Sequence, residues 1–527
     1  MSEEAIKIIN DLQEVNDSLR QKLEDLALQN ETLACERNEQ KQKIDLLQEK
    51  VNDLLHRLFG RKSERFENPN QMDFLKLLGW PAGAQSEESK PRDLERIEYT
   101  RDRAKKRGPK PIPEHLPRED VAVDPPQEER VCACCAKDMK RVGEVVTEEL
   151  EVTPPKFLVK RYIQGKWRCP ECMNRDRVRP LAPRPIKKGR PSPSLLAYIV
   201  ISKYLDHLPL NRQEEIFNRY GLRLARQTMD EWLGQLRKLL RPIVEAMKHW
   251  LLERSYLQLD ETPFHFKDEE QKGKLRRCYI WAYGIPAGEV VYDVSASRSP
   301  KAPKEFLNGF SGHLQADGYP GFLDLFRDGK IKHVSCMAHI RRKFRDAKHA
   351  LPERVEEILE LIKDLYKIER VAREADLDGV SRVKFREENA SKFFTDLKTK
   401  IDELQPIPLP KSKLGKAVSY AMGQWPTMRR YLEVGECEID NNWCELAIRP
   451  LKLGANNFLF LGSLKGGGER AEVFYSLVQT CRRLKMNAFE YLKDVIQKVA
   501  ENPSAPMWEL SPRGWKEAQE RAEKLPV

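Results

Sequence analysis

The stretch "SYLQLDETPF" (255–264) decides how this chain is read. An apolar run, Tyr256 to Leu259, stops at two carboxylates, Asp260 and Glu261. Charge at the end of a buried strand is costly unless it is paired or neutralised by a metal. Strand-like segments follow at "RCYIWAYG" (277–284) and "EVVYDVS" (289–295), then a short helix at "SPKAPKEFLNG" (299–309). A strand at "HLQADGY" (313–319), a helix at "YPGFLDLF" (319–326) and a strand at "IKHVSCM" (331–337) complete the run. The expected order is β-β-β-α-β-α-β, with acids at the ends of the first and fourth strands.

That order is the one a ribonuclease H-like fold requires, and there the first and fourth strands lie side by side. Asp260 and Asp317, 57 positions apart in sequence, are thereby expected to meet. Two bare carboxylates at close range repel unless a cation neutralises them. Mg²⁺ prefers oxygen ligands, and a pair of such ions can clamp both oxygens of an in-line phosphoryl displacement. A third acid should come from a helix after the fifth strand, and "ECEIDNNWCELAIRP" (436–450) offers Glu445. Asp440 or Asn441 can cap that helix, and Arg449 lies one turn beyond Glu445 on the same face. The residues alone leave rivals: Glu261 for Asp260, Glu438 or Asp440 for Glu445, and an exposed Glu445–Arg449 ion pair.

At 527 residues the chain allows about three or four domains. The longest clean apolar run, "LLAYIVI" (195–201), is too short to span a bilayer, and the acidic start "MSEEAIKI" is unlike a secretory signal. A cytoplasmic protein without a membrane partner is expected. The net charge is +11, and it is concentrated: between Lys156 and Pro191 twelve Lys or Arg face two acids. A focused basic segment points to a polyanion, nucleic acid first; its plain alternative is a solvated surface.

Eleven cysteines in a long chain of this kind suggest thiols or metal ligands rather than disulfides. "VCACC" and "RCPEC" supply Cys132, Cys135, Cys169 and Cys172, two CxxC pairs that can close a tetrahedral zinc shell. Cys134 is an extra thiol beside the first pair, and the intervening residues 145–169 read as two or three strands. Free thiols in a small β domain are the alternative.

The first sixty residues keep a seven-residue register. Leu12, Leu19, Leu26, Leu33, Leu47 and Leu54 occupy one core position, and Ile9, Leu23, Ile44, Val51 and Leu58 the other, with Asn16 and Asn30 also at core positions. This predicts a leucine-zipper coiled coil and a homodimer, against a long helix packed on its own chain. In "PIKKGRPSP" (185–193), Lys187, Lys188 and Arg190 form a basic arm suited to a DNA groove. "LNRQEEIFNRYGLRLARQTMDEWLGQL" (210–236) has the shape of a helix-turn-helix, with Arg226, Gln227 and Thr228 opening the recognition helix. An ordinary helical hairpin in a core is the competing reading.

By these motifs the chain resembles the bacterial transposases of the insertion sequence sixty-six family, which carry a DDE catalytic triad. The resemblance runs from the zipper and "GRKSERF" through the double CxxC, "LPLNRQEE" and "RQTMDEWL". It continues through "LDETPF", "LQADGYPGF", "HVSCMAHIRRKFRDA" and "DNNWCELAIRPLKLGANNFLFLGSLKGG". It implies cutting and joining of DNA at element ends with a divalent metal. Residue by residue, Asp260, Asp317 and Glu445 match the triad and would hold Mg²⁺ or Mn²⁺. Departures are Met337 in "CMAH", Leu446 after Glu445, and Ala136 after the first CxxC. The family match makes Cys336 and His339 active-site neighbours, although a CxxH metal site would need two further ligands that the sequence does not show. Arg341, Arg342 and Lys343 are expected to meet phosphates, as are Arg449 and Lys465, the latter on the glycine loop "GSLKGGGER" (462–470). Partners implied are terminal repeats, target DNA and small accessory transposition proteins, with nucleoid association when DNA is bound.

The expected architecture is multidomain α+β. It comprises a coiled coil (1–60), a basic, Pro-rich linker (61–130), a zinc-binding domain (131–185) and a helix-turn-helix region (186–250). A ribonuclease H-like α/β catalytic core follows in two parts (251–344 and 431–500), separated by a helical insertion (345–430), with a C-terminal tail (501–527). A DNA-binding regulator with an inert core of this shape, or a nuclease that does not join strands, are the other functions the sequence permits.

Overall fold

The computed structural model describes residues 3–59, 157–164, 166, 179–186, 189, 191–271 and 273–523. The four expected zinc cysteines, the linker, and Lys187, Lys188 and Arg190 lie outside these residues. By its internal contacts the chain divides into residues 1–62 with 164–527, and residues 63–163. Every helix and strand among the described residues belongs to the first of these units.

Helix α1 runs Glu3–Phe59 without a break. Its expected core positions face outward: Leu23 is 66% exposed, Leu33 61%, Leu47 61% and Leu54 57%. Its described contacts with the rest of the chain come from its C-terminal part. Asp45 pairs with Arg354 at 3.2 Å, Glu49 accepts the Leu409 N–H at 3.0 Å, and Asn52 donates to the Ala350 carbonyl at 2.9 Å. The apolar stripe and the packed end thus occupy different faces of one helix.

Among the described residues three helices lie between α1 and the sheet: α2 (Pro193–Tyr204), α3 (Leu210–Arg219) and α4 (Arg226–Leu252). The turn after α3 passes through Gly221 at φ +75°, a left-handed conformation that costs glycine nothing. The helix–turn–helix shape is present, but α4 is 27 residues long and buries Met229, Leu233, Leu236, Leu240, Ile243, Met247 and Leu251 along one face. These residues share one apolar cluster with the sheet. Helix α4 thus runs on past Leu236 as part of the scaffold, and it is exposed at Glu231, Gln235 and Lys238 as well as in its first turn. Arg226 and Gln227 are exposed there and Thr228 is half-buried.

The five-stranded mixed sheet has the order β3-β2-β1-β4-β5. Its strands are β1 (Tyr256–Asp268), β2 (Lys274–Gly284), β3 (Val290–Ser295), β4 (Gly312–Gln315) and β5 (Ile331–Val334). The short helix α5 (Lys301–Phe306) follows β3, and a 3₁₀ segment, Pro320–Phe326, stands where a regular helix was expected. β1 pairs antiparallel with β2 and parallel with β4, so the first and fourth strands are neighbours.

Two boundaries differ from expectation. β1 does not stop at Asp260 but continues to Asp268, with Thr262, Phe264, Phe266 and Asp268 buried and Pro263, His265 and Lys267 exposed. That period-two pattern marks a strand with one covered face. Pro263 is tolerated because pairing with β4 ends at Gln258, which leaves β2 as the only strand on its ladder. β4, conversely, ends at Gln315, so Asp317 lies just past its strand.

After β5 come α6 (Met337–Asp346), α7 (Pro352–Glu374), α8 (Gly379–Asn389), α9 (Ser391–Leu404), α10 (Lys413–Met428) and the single turn α11 (Arg430–Glu433). They build a second apolar cluster around Ile358, Ile362, Leu397 and Val418, which reaches the sheet through Tyr256 and Val334. The chain returns to the first cluster with α12 (Asn442–Phe458), α13 (Glu469–Arg483), α14 (Ala488–Glu501) and α15 (Pro512–Glu523). Among the described residues no helix is long and apolar enough to cross a membrane.

Candidate active site

β1 and β4 are paired so that Gln258 stands opposite Gln315. Two residues further along each segment are Asp260 and Asp317. Side chains alternate across a strand, so Asp260 shares the face of Gln258, whose side chain contacts Asp440 and Cys444 at the start of α12. Glu445 occupies the first turn of that helix. Burial raises the Asp260 carboxyl well above the usual carboxylate range, and the negative charges of Glu261, Glu445 and Asp317 push it the same way. The three acids expected from residue order are thus brought within electrostatic reach of one another.

The rival acids are otherwise engaged. Glu261 points to the opposite face and accepts from Arg298 Nε at 2.6 Å; that guanidinium lies 3.8 Å over the Tyr319 ring. Glu438 is met by Arg382 at 3.3 Å and Arg373 at 3.7 Å. Asp440 accepts from the Tyr366 hydroxyl at 2.6 Å and from the Asn442 backbone N–H at 3.0 Å, so its carboxylate caps α12. Asn441, the other capping candidate, instead donates to the Leu259 carbonyl at 3.4 Å. Arg449 is exposed and makes no described ion pair with Glu445.

The partners of Glu445 come from α6. Arg342 donates to its Oε2 at 3.3 Å, and His339 Nε2 stands 3.7 Å from its Oε1. Oε1 is buried and lacks a hydrogen-bond partner, as does His339 Nδ1. Burial lowers the His339 pKa, against the charges of Glu445 and Asp317 that raise it. Among the described residues Cys336, His339 and Glu445 form the one group whose ligand atoms lie within 4.8 Å of each other. The sequence offered Cys336 and His339 but no third ligand; the tertiary structure supplies Glu445. Cys336 has another task, however. It precedes α6, is buried with its thiol pKa pushed up, and its Sγ accepts the Asn441 N–H at 3.4 Å, so it ties the starts of α6 and α12 together. Asp260 and Asp317 are not part of that group; with Glu445, whose Oε1 is the orphaned buried oxygen, they offer only oxygen donors, the chemistry a hard cation such as Mg²⁺ prefers.

Around this cluster lie exposed cations. Arg341, Arg342 and Lys343 are on α6, and Lys343 sits 4.5 Å over the Tyr420 ring. Lys465 is exposed too, and its glycine-rich segment has regular structure. Leu464–Gly468 forms a π-helical turn capped by Ser463, and a Cβ at Gly467 would collide with the Leu461 carbonyl oxygen. The lack of a side chain at Gly467 permits that close approach.

Residues 188–469 match the sequence profile described as "Transposase IS66 family". The chain belongs to that family. Residues 129–173 match the zinc-finger binding domain of transposase IS66, and residues 46–121 match a profile described as "Transposase C of IS166 homeodomain". Similar curated proteins come from Sinorhizobium fredii (strain NBRC 101917 / NGR234). "Uncharacterized protein y4jD" is 31% identical over 426 residues, covering 77% of this chain and 82% of the relative. "Uncharacterized protein y4hP" is 28% identical over 511 residues, covering 90% and 89%. No solved structure matches the chain. For an IS66 transposase, the double CxxC falls within the zinc-finger match, and Asp260, Asp317 and Glu445 all fall within the transposase match.

Proposed function

We propose that this IS66-family transposase cuts and joins DNA at the ends of its insertion element, with Asp260, Asp317 and Glu445 as catalytic carboxylates on a ribonuclease H-like core. The observation that supports this reading is the in-register pairing of Gln258 on β1 with Gln315 on β4, each two residues before an aspartate, with Glu445 in the first turn of α12. Divalent metal, Mg²⁺ or Mn²⁺, when bound to these three acids, supplies neutralising charge and polarises phosphate oxygens.

The chain's own residues do the rest. Arg342 and His339 steady Glu445 from α6. Arg341, Lys343, Arg449 and Lys465, all exposed, offer charge to the phosphates on either side of the scissile bond. Arg226, Gln227 and Thr228 at the first turn of α4, with Lys187, Lys188 and Arg190, are the proposed contacts to the element ends. Cys132, Cys135, Cys169 and Cys172 hold a structural zinc. The outward leucine stripe of α1 pairs with the same stripe of a second copy, and small accessory proteins complete the assembly.

The test is incubation of the purified protein with labelled DNA carrying both element ends, in Mg²⁺ or Mn²⁺, beside Asp260→Asn and Arg341→Ala. Metal-dependent nicking and joining that disappears in Asp260→Asn, with weaker end binding by Arg341→Ala, supports the reading. Binding without cleavage in every protein, even with accessory proteins added, points to a DNA-binding regulator; cleavage without joined product points to a nuclease.

A further inference from the structure

Three polar side chains are buried where strands facing a core ordinarily carry apolar ones: Tyr256, Gln258 and Gln315 are 4%, 1% and 0% exposed. Burying an amide without a partner costs free energy, so each such group needs its bonds made. Here they are. Gln258 Nε2 donates to Gln315 Oε1 and to the Asp440 carbonyl, both at 3.0 Å, and to the Tyr256 hydroxyl at 2.9 Å; two N–H groups are shared among three acceptors. Gln258 Oε1 accepts the Cys444 N–H at 3.2 Å. Gln315 Nε2 donates to the Glu438 carbonyl at 2.8 Å and the Ser335 carbonyl at 3.3 Å. The Tyr256 hydroxyl donates to Gln315 Oε1 and accepts the Glu438 N–H at 3.2 Å.

Every backbone group in this network outside β5's exit belongs to the segment 438–444, which leads directly into Glu445. Residues 434–441 have no regular secondary structure, and several of their backbone groups are met by side chains. Those partners sit two residues before Asp260 on β1 and two before Asp317 after β4. A glutamine amide both donates and accepts at such a position; leucine does neither, and glutamate cannot donate when ionised.

We infer that Gln258, Gln315 and Tyr256 are positioning residues that fasten the Glu445 segment to the two aspartate-bearing strands and so set the spacing of the three carboxylates. The inference rests on the proposed catalytic role of those acids. Groups that orient metal ligands without touching the metal typically change metal affinity by about 10–100-fold when removed.

The experiment measures Mn²⁺ binding to the full-length, DNA-free protein by electron paramagnetic resonance of the unbound ion, alongside thermal midpoints and end cleavage. Gln258→Met keeps side-chain volume but removes both functions of the amide; Tyr256→Phe removes one hydroxyl and leaves the glutamines in place. Folded Gln258→Met and Tyr256→Phe with Mn²⁺ binding weakened about tenfold or more, and a matching rise in the Mn²⁺ needed for half-maximal cleavage, support the inference. Wild-type Mn²⁺ affinity in folded Tyr256→Phe overturns it, even where Gln258→Met fails to fold, because the network would then serve stability alone. Asp260→Asn separates the two readings. If it binds Mn²⁺ like the parent, the catalytic assignment falls and this inference with it. If it loses Mn²⁺ while both positioning variants keep it, the inference alone falls.

Discussion

Glu369 and Arg386 are both fully buried and pair through two parallel hydrogen bonds of 2.7 and 2.8 Å. The guanidinium also donates to the carbonyls of Tyr431, Val434 and Cys437, at 2.6, 3.0 and 2.8 Å. A side chain of α8 thereby organises the turn that leads to α12. Removing one member of such a pair strands the other charge in the interior. Arg386→Ala is expected to destabilise the protein by about 3–5 kcal/mol, and Arg386→Met with Glu369→Leu should recover part of that loss. Thermal and urea unfolding check both; a loss under about 1 kcal/mol for Arg386→Ala refutes the clamp.

Asp260 and Glu261 are adjacent in sequence but face opposite sides of β1. Asp260→Asn is expected to lower single-turnover end cleavage by more than about 100-fold at saturating Mg²⁺. Glu261→Gln, which keeps all three carboxylates of the cluster and weakens the Arg298 contact, should fall by no more than about tenfold. Equal losses in the two variants would show that the face assignment is wrong.

Burial pushes the Asp293 carboxyl on β3 up to about 6, against the nearby charge of Lys248. The folded chain then holds a proton more tightly than the unfolded chain between about pH 4 and pH 6. The folded state binds the extra proton, so this group's contribution to stability falls as pH rises through that window and is level above it. Asp293→Asn should be more stable than the parent above about pH 6, by up to about 2–3 kcal/mol, and the gap should close toward pH 4. Unfolding curves at a series of pH values decide it; a constant gap contradicts the assignment.

The α1 stripe gives a prediction about assembly. Leu26 and Leu33 are 55% and 61% exposed, and burying each in a partner is worth roughly 1.5–3 kcal/mol. Leu26→Asp with Leu33→Asp should convert a dimer into a monomer in sedimentation velocity runs. A monomeric parent protein would remove the zipper reading.

Zinc is the easiest component to count. Protein purified without chelator should carry about one zinc per chain by elemental analysis. Cys169→Ser should lower that content while leaving the thermal unfolding of the catalytic unit in place. Full zinc occupancy in Cys169→Ser would mean that the ligand set is different.

The adjacency of the first and fourth strands was legible in residue order. A strand that ends its apolar run on Asp260, and a later one followed by Asp317, become neighbours only in certain strand orders, and the β-β-β-α-β run selects among them. The choice between Asp260 and Glu261 was not legible, because a one-residue change of register exchanges the two faces and Pro263 disguises the strand that settles the register. Glu438 and Asp440 looked as able as Glu445, since their partners Arg373, Arg382 and Tyr366 come from insertion helices more than fifty residues earlier. The glutamines were missed although a signal was present. "YLQL" and "HLQA" each set one amide among apolar strand residues, two positions before an acid.

By itself the sequence determined what depends on neighbours along the chain: the heptads of α1, the spacing of the two CxxC pairs, the helical run after residue 345, and the alternation of strands. These are local, because helix and strand periods and metal-ligand turns are set over a few residues. Only the tertiary structure decided what depends on distant partners. It turned α4 into a scaffold helix, brought Glu445 to His339 and Arg342, and consumed the rival carboxylates. Burial, ion pairing and the repulsion felt by Asp260 are properties of packed surroundings, and those surroundings are assembled from segments that lie far apart in sequence.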